Sequence, residues 1–372
     1  MANTFSFVGQ LRPIRETESF KSFTVNEYNS GWMNERLVFN VIAGDNRHRV
    51  EINAGRWKQE DKNTIYSFTR SNGDKKGEAV QIPWSKRNDP STIETIAGWR
   101  VFTVDTDTFN HRRELEESGE TEALEASNKK RKHFLAGTDF CEYVNKVVNS
   151  EKAKDMVFRV NGNITYRYSE KNDRYYTAYE VTKIYRVDEG TATSSTVNVD
   201  FYFAADAMDA DDYAETGVAA VMGYTPFYDT ATKKNWFCPM TLAMRFGTDD
   251  VGMKKIKGWQ KIFAKCEGED VRRIGLECQA IDGAQRVNIT YDDLSDEVKE
   301  NIDCGIITLE DAIADAGGSM IGDRIQEMRI DKPGRGYTGG SEETMYTAED
   351  LGKKPFKEEE IEDLFEDDDD DI

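Results

Sequence analysis

Phe5-Ser-Phe-Val-Gly-Gln-Leu11 and, 153 residues later, Phe158-Arg-Val-Asn-Gly-Asn-Ile164 follow one pattern, F-x-[FV]-x-G-x-[LI]. In an extended strand successive side chains point to opposite faces. Phe5, Phe7 and Leu11 therefore share one face with Gly9, as Phe158, Val160 and Ile164 share one with Gly162. Those six apolar residues are expected in a core, with Arg159 and Arg167 pointing away from it. The echo predicts a duplicated β module.

Outward from the first copy, Leu37–Ile42 and Arg47–Ile52 flank Ala-Gly-Asp-Asn, which suits a tight hairpin. A second turn is expected over Ser71–Gly77. His111–His133 is rich in Glu, Lys, Arg and Ser, and reads as an exposed helix or a mobile connection outside the core. Phe140, Tyr143, Val144 and Val147 stand at helical spacing, so a short amphipathic helix should precede the second copy. Strands are expected at Thr196–Phe203, Trp236–Met244 and Arg272–Ala280. Helices are expected near Tyr291–Ile302 and from Thr308-Leu-Glu-Asp311, spaced like a capping box, to Gly317-Gly318.

The predicted fold class is mainly β with short helices, a β-rich α+β chain built on two antiparallel modules. Its expected divisions are a first module over 1–110, a charged connector over 111–135, and a second module with its helix over 136–250. A small α+β extension over 251–332 and a linker with acidic tail over 333–372 complete it.

The net charge is −21, yet residues 341–372 hold fifteen acids against three lysines, so over half of the excess sits there. A moderately acidic body still accommodates a local basic groove, because phosphate responds to the local field. Within that end, Glu358–Ile372 carries eleven carboxylates, no base and a terminal isoleucine. Such a block repels itself and is expected to be disordered, a docking peptide or a mimic of nucleic-acid phosphate.

No apolar leader follows Met1, and no run reaches the ~18 apolar residues of a membrane span. A cytoplasmic location without membrane contact is expected. The five cysteines, Cys141, Cys238, Cys266, Cys278 and Cys304, are widely spaced with no CxxC pair. They read as reduced, mostly buried thiols.

Phosphate-binding glycine loops, a nucleophile elbow and a zincin motif are all missing, so no catalytic residue, cofactor or metal is assigned. Asp105-Thr-Asp107 with Glu116 imitates a calcium loop, but Phe109 and Asn110 occupy positions that need a ligand and a glycine. Asp206, Asp209, Asp211, Asp212 and Glu215 read as a solvated acidic loop, the alternative being a metal-dependent nuclease site.

Aromatic residues interleaved with cations stand out instead. Unpaired bases stack on aromatic faces while Arg and Lys track the backbone. The candidates in the first module are Trp32 with Arg36, Arg47-His48-Arg49, Arg56-Trp57-Lys58, Trp84-Ser-Lys86-Arg87 and Trp99-Arg100. In the second they are Arg159, Tyr166-Arg167-Tyr168, Arg174-Tyr175-Tyr176, Tyr179, Lys183, Tyr185 and Arg186. Strand aromatics also serve as core, so each of these residues has two readings.

The opening strand, its echo and the tail Asp363-Leu-Phe-Glu-Asp-Asp-Asp-Asp-Asp-Ile372 together resemble a phage-encoded single-stranded DNA-binding protein. The resemblance implies two OB-like barrels, non-sequence-specific binding of single-stranded DNA, and support of replication, recombination or repair in a host cytoplasm. It also implies recruitment of partner proteins through Phe365, Asp367, Asp368, Asp369, Asp370, Asp371 and Ile372. The bacterial tail pattern closes on Pro-Phe, whereas this chain has Phe365 upstream of Ile372. Monomeric action of two modules is one reading of the length. The alternative function is a phage structural or assembly protein whose β modules bind no nucleic acid.

Overall fold

The computed structural model describes residues 3–72, 76–288, 291, 294–315 and 319–355. The expected tail Glu358–Ile372 and Gly317-Gly318 lie outside the described residues.

β1 (Thr4–Pro13) is followed by β2 (Phe23–Glu27) and by a long hairpin of β3 (Trp32–Ala43) and β4 (Asn46–Trp57). Ala43 pairs with Asn46 across Gly44-Asp45, and Gly44 has φ 63°, the left-handed geometry a two-residue loop needs. A smaller hairpin of β5 (Thr64–Phe68) and β6 (Ala79–Pro83), with α1 (Pro90–Thr95), covers a satellite core of Ile82, Ile96, Val101 and Leu135. The chain continues through β7 (Phe102–Asp105), α2 (Phe109–Ser118), α3 (Thr121–Asn128), β8 (Arg131–Phe134) and α4 (Gly137–Val148), then β9 (Val157–Ser169) and β10 (Arg174–Arg186).

Five of these strands close a ring: β1 pairs with β3, β3 with β4, β4 in parallel with β10 at Glu51 and Glu180, β10 with β9, and β9 with β1. The expected helix α4 packs on β3 and β4, bringing Phe140, Val144 and Val147 into one apolar cluster with Phe39, Val50 and Ile52. Each such buried side chain contributes about 1.5–3 kcal/mol.

The echo strand does not open a second module. β9 runs antiparallel to β1, with Phe7 opposite Val160, and is the fourth strand of the same ring. The two sequences look alike because adjacent strands meet the same demands. Phe5, Phe7, Leu11, Phe158, Val160 and Ile164 are all buried in one cluster. A Cβ on Gly9 would sit 2.1 Å from the Ile42 carbonyl oxygen, and one on Gly162 would sit 1.9 Å from that of Glu180. Glycine is needed in each strand where another backbone presses on it.

The second set of elements is β11 (Ser194–Phe203), β12 (Met208–Asp209), α5 (Tyr213–Thr216), β13 (Ala219–Asp229), β14 (Lys234–Met244), α6 (Asp250–Phe263), β15 (Asp270–Asn288), α7 (Asp296–Asp303), α8 (Leu309–Asp315) and β16 (Ser319–Pro333). Here β11 pairs with β13, β13 with β14, β14 in parallel with β16, β16 with β15, and β15 with β11. The connectivity repeats that of the first ring: a three-strand meander, a helix, then two strands, the third parallel to the fifth. Residues 251–332, expected as a small extension, therefore supply the last two strands of the second ring. Periodicity identified Arg272–Ala280 as a strand but carried no information about its distant partners.

β1 joins the rings. Gln10 faces Val157 on one edge and Ile42 on the other, while Thr4–Val8 face Asn198–Ser194 of β11. The edge therefore passes from β11 to β3 at Gly9. Among the described residues, every strand except β5 and β6 belongs to one 15-stranded network.

The charged stretch 111–133 runs through the mostly exposed helices α2 and α3, outside the apolar core as expected, whereas the expectation for the residues after Asp331 is corrected. The charged stretch 111–133 is built into the structure through two buried carboxylates. Asp105 accepts from Arg112 at 2.5 and 2.7 Å and from Arg131 at 2.8 Å. Asp107 accepts from Ser127 at 2.7 Å and Lys130 at 3.0 Å. Burial alone would raise both carboxyls, but these donors overcome it and hold both below the usual range. By contrast, residues after Asp331 do not run as a linker. β17 (Glu342–Thr347) pairs with β15, and α9 (Ala348–Gly352) opens on a Thr347–Asp350 capping box and buries Leu351. Charged composition hid this last segment because its anchors are backbone pairing, a capping box and one apolar residue.

Cys141, Cys238, Cys266 and Cys278 are buried and Cys304 is exposed. Burial pushes the Cys141 and Cys238 thiols up to about 12, so neither is a nucleophile at neutral pH.

Candidate nucleic-acid interface

Residues opposite each other in an antiparallel pair project from one face. On β3 and β4, Trp32 lies opposite Trp57, Asn34 opposite Gly55, Arg36 opposite Asn53 and Asn40 opposite Arg49. Leu37, Phe39, Val50 and Ile52 fill the inward face. Trp32, Arg36, Arg47, Arg49 and Trp57 therefore share the outward face of one hairpin, which runs about 30 Å at 3.4 Å per residue.

The two indoles form the aromatic end of this face, with ring centroids 5.3 Å apart and planes at 79°. A Cβ on Gly55 would fall 2.1 Å from the Trp32 ring, so glycine there lets the indole lie on the strand. Lys62 stands over Trp57 at 5.8 Å. At the opposite end Arg47 is exposed, with no acidic partner among the described residues. Arg49 lies over Phe20 at 5.2 Å.

The middle is less cationic than the sequence suggests. Arg36 is bound to Glu51, its Nε donating at 3.1 Å, and at the aromatic end Lys58 is bound to Glu27 at 2.8 Å. Glu51 adjoins Glu180 across the parallel contact, and burial, together with the charge of Glu51, raises the Glu180 carboxyl.

A second group stands at the tip of the β9–β10 hairpin. Tyr176 is opposite Arg167, and the guanidinium groups of Arg167 and Arg174 lie 5.8 and 5.7 Å from its ring centre. Asn172 donates to the Tyr176 hydroxyl at 3.0 Å. Both arginines are exposed with no acidic partner among the described residues. Lys354, just beyond α9, binds Asp173 at this tip at 2.6 Å.

Other sequence candidates are elsewhere or occupied. Trp84 is buried beneath Arg87, whose guanidinium lies 4.6 Å from its ring and whose Nε reaches Asp139 at 3.0 Å. Tyr175 packs inward against Tyr168 and Phe227. These two residues are corrected from stacking platform to packing, because adjacency to cations along the chain says nothing of which way a ring points. Lys86 is exposed beside Trp84, and Arg159 is exposed on β9 away from both groups. The tail residues Phe365 and Asp367–Ile372 lie outside the described residues. Trp99, one of the candidates, is exposed and stands beside Phe68; Phe68 and Tyr66 are two exposed aromatics that the sequence reading did not assign. The spacing of Tyr66 and Phe68 on a five-residue strand was the available signal.

Among the described residues no cluster of His, Cys, Asp or Glu is arranged to hold a metal ion, and no helix is long and apolar enough to cross a membrane. No protein-family description and no curated protein sequence matches the chain. Among solved structures, the wild-type single-stranded DNA binding protein from Thermus aquaticus overlaps 75% of this chain and 85% of its own at 9% identity and TM-score 0.29. A deletion mutant of the same protein overlaps 75% and 86% at 8% identity and TM-score 0.29. A superposition at that score does not establish a common fold.

Proposed function

We propose that the chain binds single-stranded DNA without sequence specificity and without catalysis, as an accessory of DNA replication, recombination or repair. The two strand rings are read as two OB-like barrels, Thr4–Arg186 and Ser194–Pro333. An OB-fold binds oligonucleotides on the face of its second and third strands and with the loops after its first and fourth. Counted within the first ring, those elements are β3–β4, the segment holding Phe20, and the β9–β10 tip.

The observation that carries this reading is the coincidence of that face with the tryptophan pair Trp32 and Trp57 and the cations Arg47 and Arg49. The tip adds Arg167, Arg174 and Tyr176. Aromatic rings would take bases at about 1–3 kcal/mol each while the arginines follow phosphate. The acidic tail is proposed to recruit partner proteins through Phe365 and Asp367–Ile372.

Intrinsic tryptophan fluorescence titrated with an oligo-dT of about 30 nucleotides tests the reading, since Trp32 and Trp57 would be quenched by stacking. Salt-sensitive quenching by the single strand, with little response to duplex of equal length, is expected. Absence of any response, in the full chain and after tail removal, overturns it in favour of a structural or assembly role.

A further inference from the structure

We propose that the outer face of the β5–β6 hairpin, together with Trp99 and Arg100, is a second base-stacking site for single-stranded nucleic acid, off the strand ring. The inference rests on the proposed nucleic-acid reading and extends it to a surface outside the barrel.

Tyr66 and Phe68 are two residues apart on β5 and so project from one face, while Ile65 and Ser67 turn toward the satellite core. Tyr66 is 70% exposed and Trp99 66%, values that no packing role explains. The Phe68 and Trp99 rings lie 5.6 Å apart with planes at 31°. The Arg100 guanidinium lies over both, 4.6 Å from Trp99 and 5.4 Å from Phe68, and has no acidic partner among the described residues.

Rigidity makes this a platform. The Ala97 amide donates to the Phe68 carbonyl at 2.8 Å, the Arg70 amide to Thr95 at 2.8 Å, and the Arg70 guanidinium to Ile96 at 3.0 Å. Ile82, Ile96, Val101 and Leu135 pack beneath. Rings fixed in advance lose little entropy when a ligand stacks on them.

The chemistry favours a nucleotide over an apolar partner. Planar rings offer faces to bases, and a stacked arginine without a carboxylate can still donate to phosphate. Polar Thr64 and Gln81 flank Tyr66 on the same face, breaking any continuous apolar patch. The platform also continues from the proposed face. Asn63, next to β5, binds both the amide and the carbonyl of Trp57 at 2.8 and 2.9 Å, so the hairpin grows from the tryptophan end of β3–β4.

The test compares full-length wild type, Trp99→Ala, Tyr66→Ala and Trp57→Ala, each checked for unchanged melting temperature. Oligo-dT of about 8 and about 30 nucleotides would be used, spanning the site sizes known for single OB-folds and beyond. Trp99→Ala and Tyr66→Ala should weaken the long oligonucleotide about 5–100-fold and leave the short one unchanged, while Trp57→Ala weakens both. If Trp57→Ala weakens binding but neither platform variant affects the long oligonucleotide, the second site is overturned and the ring face stands. If Trp99→Ala instead lowers the sedimenting mass without affecting DNA, the platform is a contact between copies of the chain and the inference is also overturned. If wild type binds neither length, the nucleic-acid reading itself fails.

Discussion

His48 Nε2 lies 2.6 Å from Ser195 Oγ, a bond between β4 of the first ring and β11 of the second. The imidazole stacks on Phe7 with ring centres 4.1 Å apart and is 2% exposed. Burial pushes its pKa down to about 4. The folded protein therefore holds His48 neutral where the unfolded chain, near 6.5, takes up a proton. Stability from this group is complete above pH 6.5 and is lost as pH falls toward 4. At pH 5 the loss should be about 2 kcal/mol. Urea midpoints of wild type and His48→Gln at pH 7 and 5 check it. The variant should be less stable at pH 7 but lose less on acidification, and equal losses would remove His48 as the cause.

Gly162→Ala should destabilise by several kcal/mol, because the new methyl would stand 1.9 Å from a backbone oxygen that cannot rotate away. Gly258→Ala is the control. It lies on an exposed turn of α6 with nothing within 4 Å of the added carbon, and should stabilise by about 0.5–1 kcal/mol. Chemical denaturation distinguishes the two, and comparable effects would mean that β9 tolerates a side chain there.

Arg47 and Arg36 share a face but not a role. Arg47→Ala removes an unpaired exposed cation, so it should reduce the salt slope of DNA binding by about one and leave stability unchanged. Arg36→Ala leaves Glu51 beside Glu180 without its counter-ion, and should lower stability at pH 7 with partial recovery on acidification as a carboxyl protonates. Binding and melting measured on both variants would reveal whether the two arginines are interchangeable.

Deleting Glu358–Ile372 should tighten binding to single-stranded DNA. The Lys354–Asp173 pair fixes the chain beside Arg167 and Arg174, so a polyanion continuing from there competes at high effective concentration. Unchanged or weaker binding by the truncated protein would argue against self-competition.

Phe5, Phe7 and Leu11 could be read as core because period-two alternation reports which face is buried. It does not report partners, which depend on backbone contacts across long separations. That is why the Phe158 strand passed for a second beginning when it lies against the first. The hairpin at Gly44 was legible because a two-residue turn has a local chemical signature. Trp32, Trp57, Arg47 and Arg49 were legible as candidates, but the Glu51 that occupies Arg36 is fifteen residues away and invisible to adjacency. Trp84 and Tyr175 were misread for the same reason, since neighbours in sequence do not fix the direction of a ring.

β1 is made before the other strands of both rings, and its place between rings sets an order of assembly. Its outer partners begin at Ser194, and Thr4 pairs with Asn198. At synthesis rates of about 5–20 residues per second, that strand waits roughly 10–40 s for its last neighbour. The first ring thus emerges with an open edge, a site for mispairing until the second ring arrives. A ribosome-bound chain stopped before residue 194 should expose that edge to a protease or a chaperone.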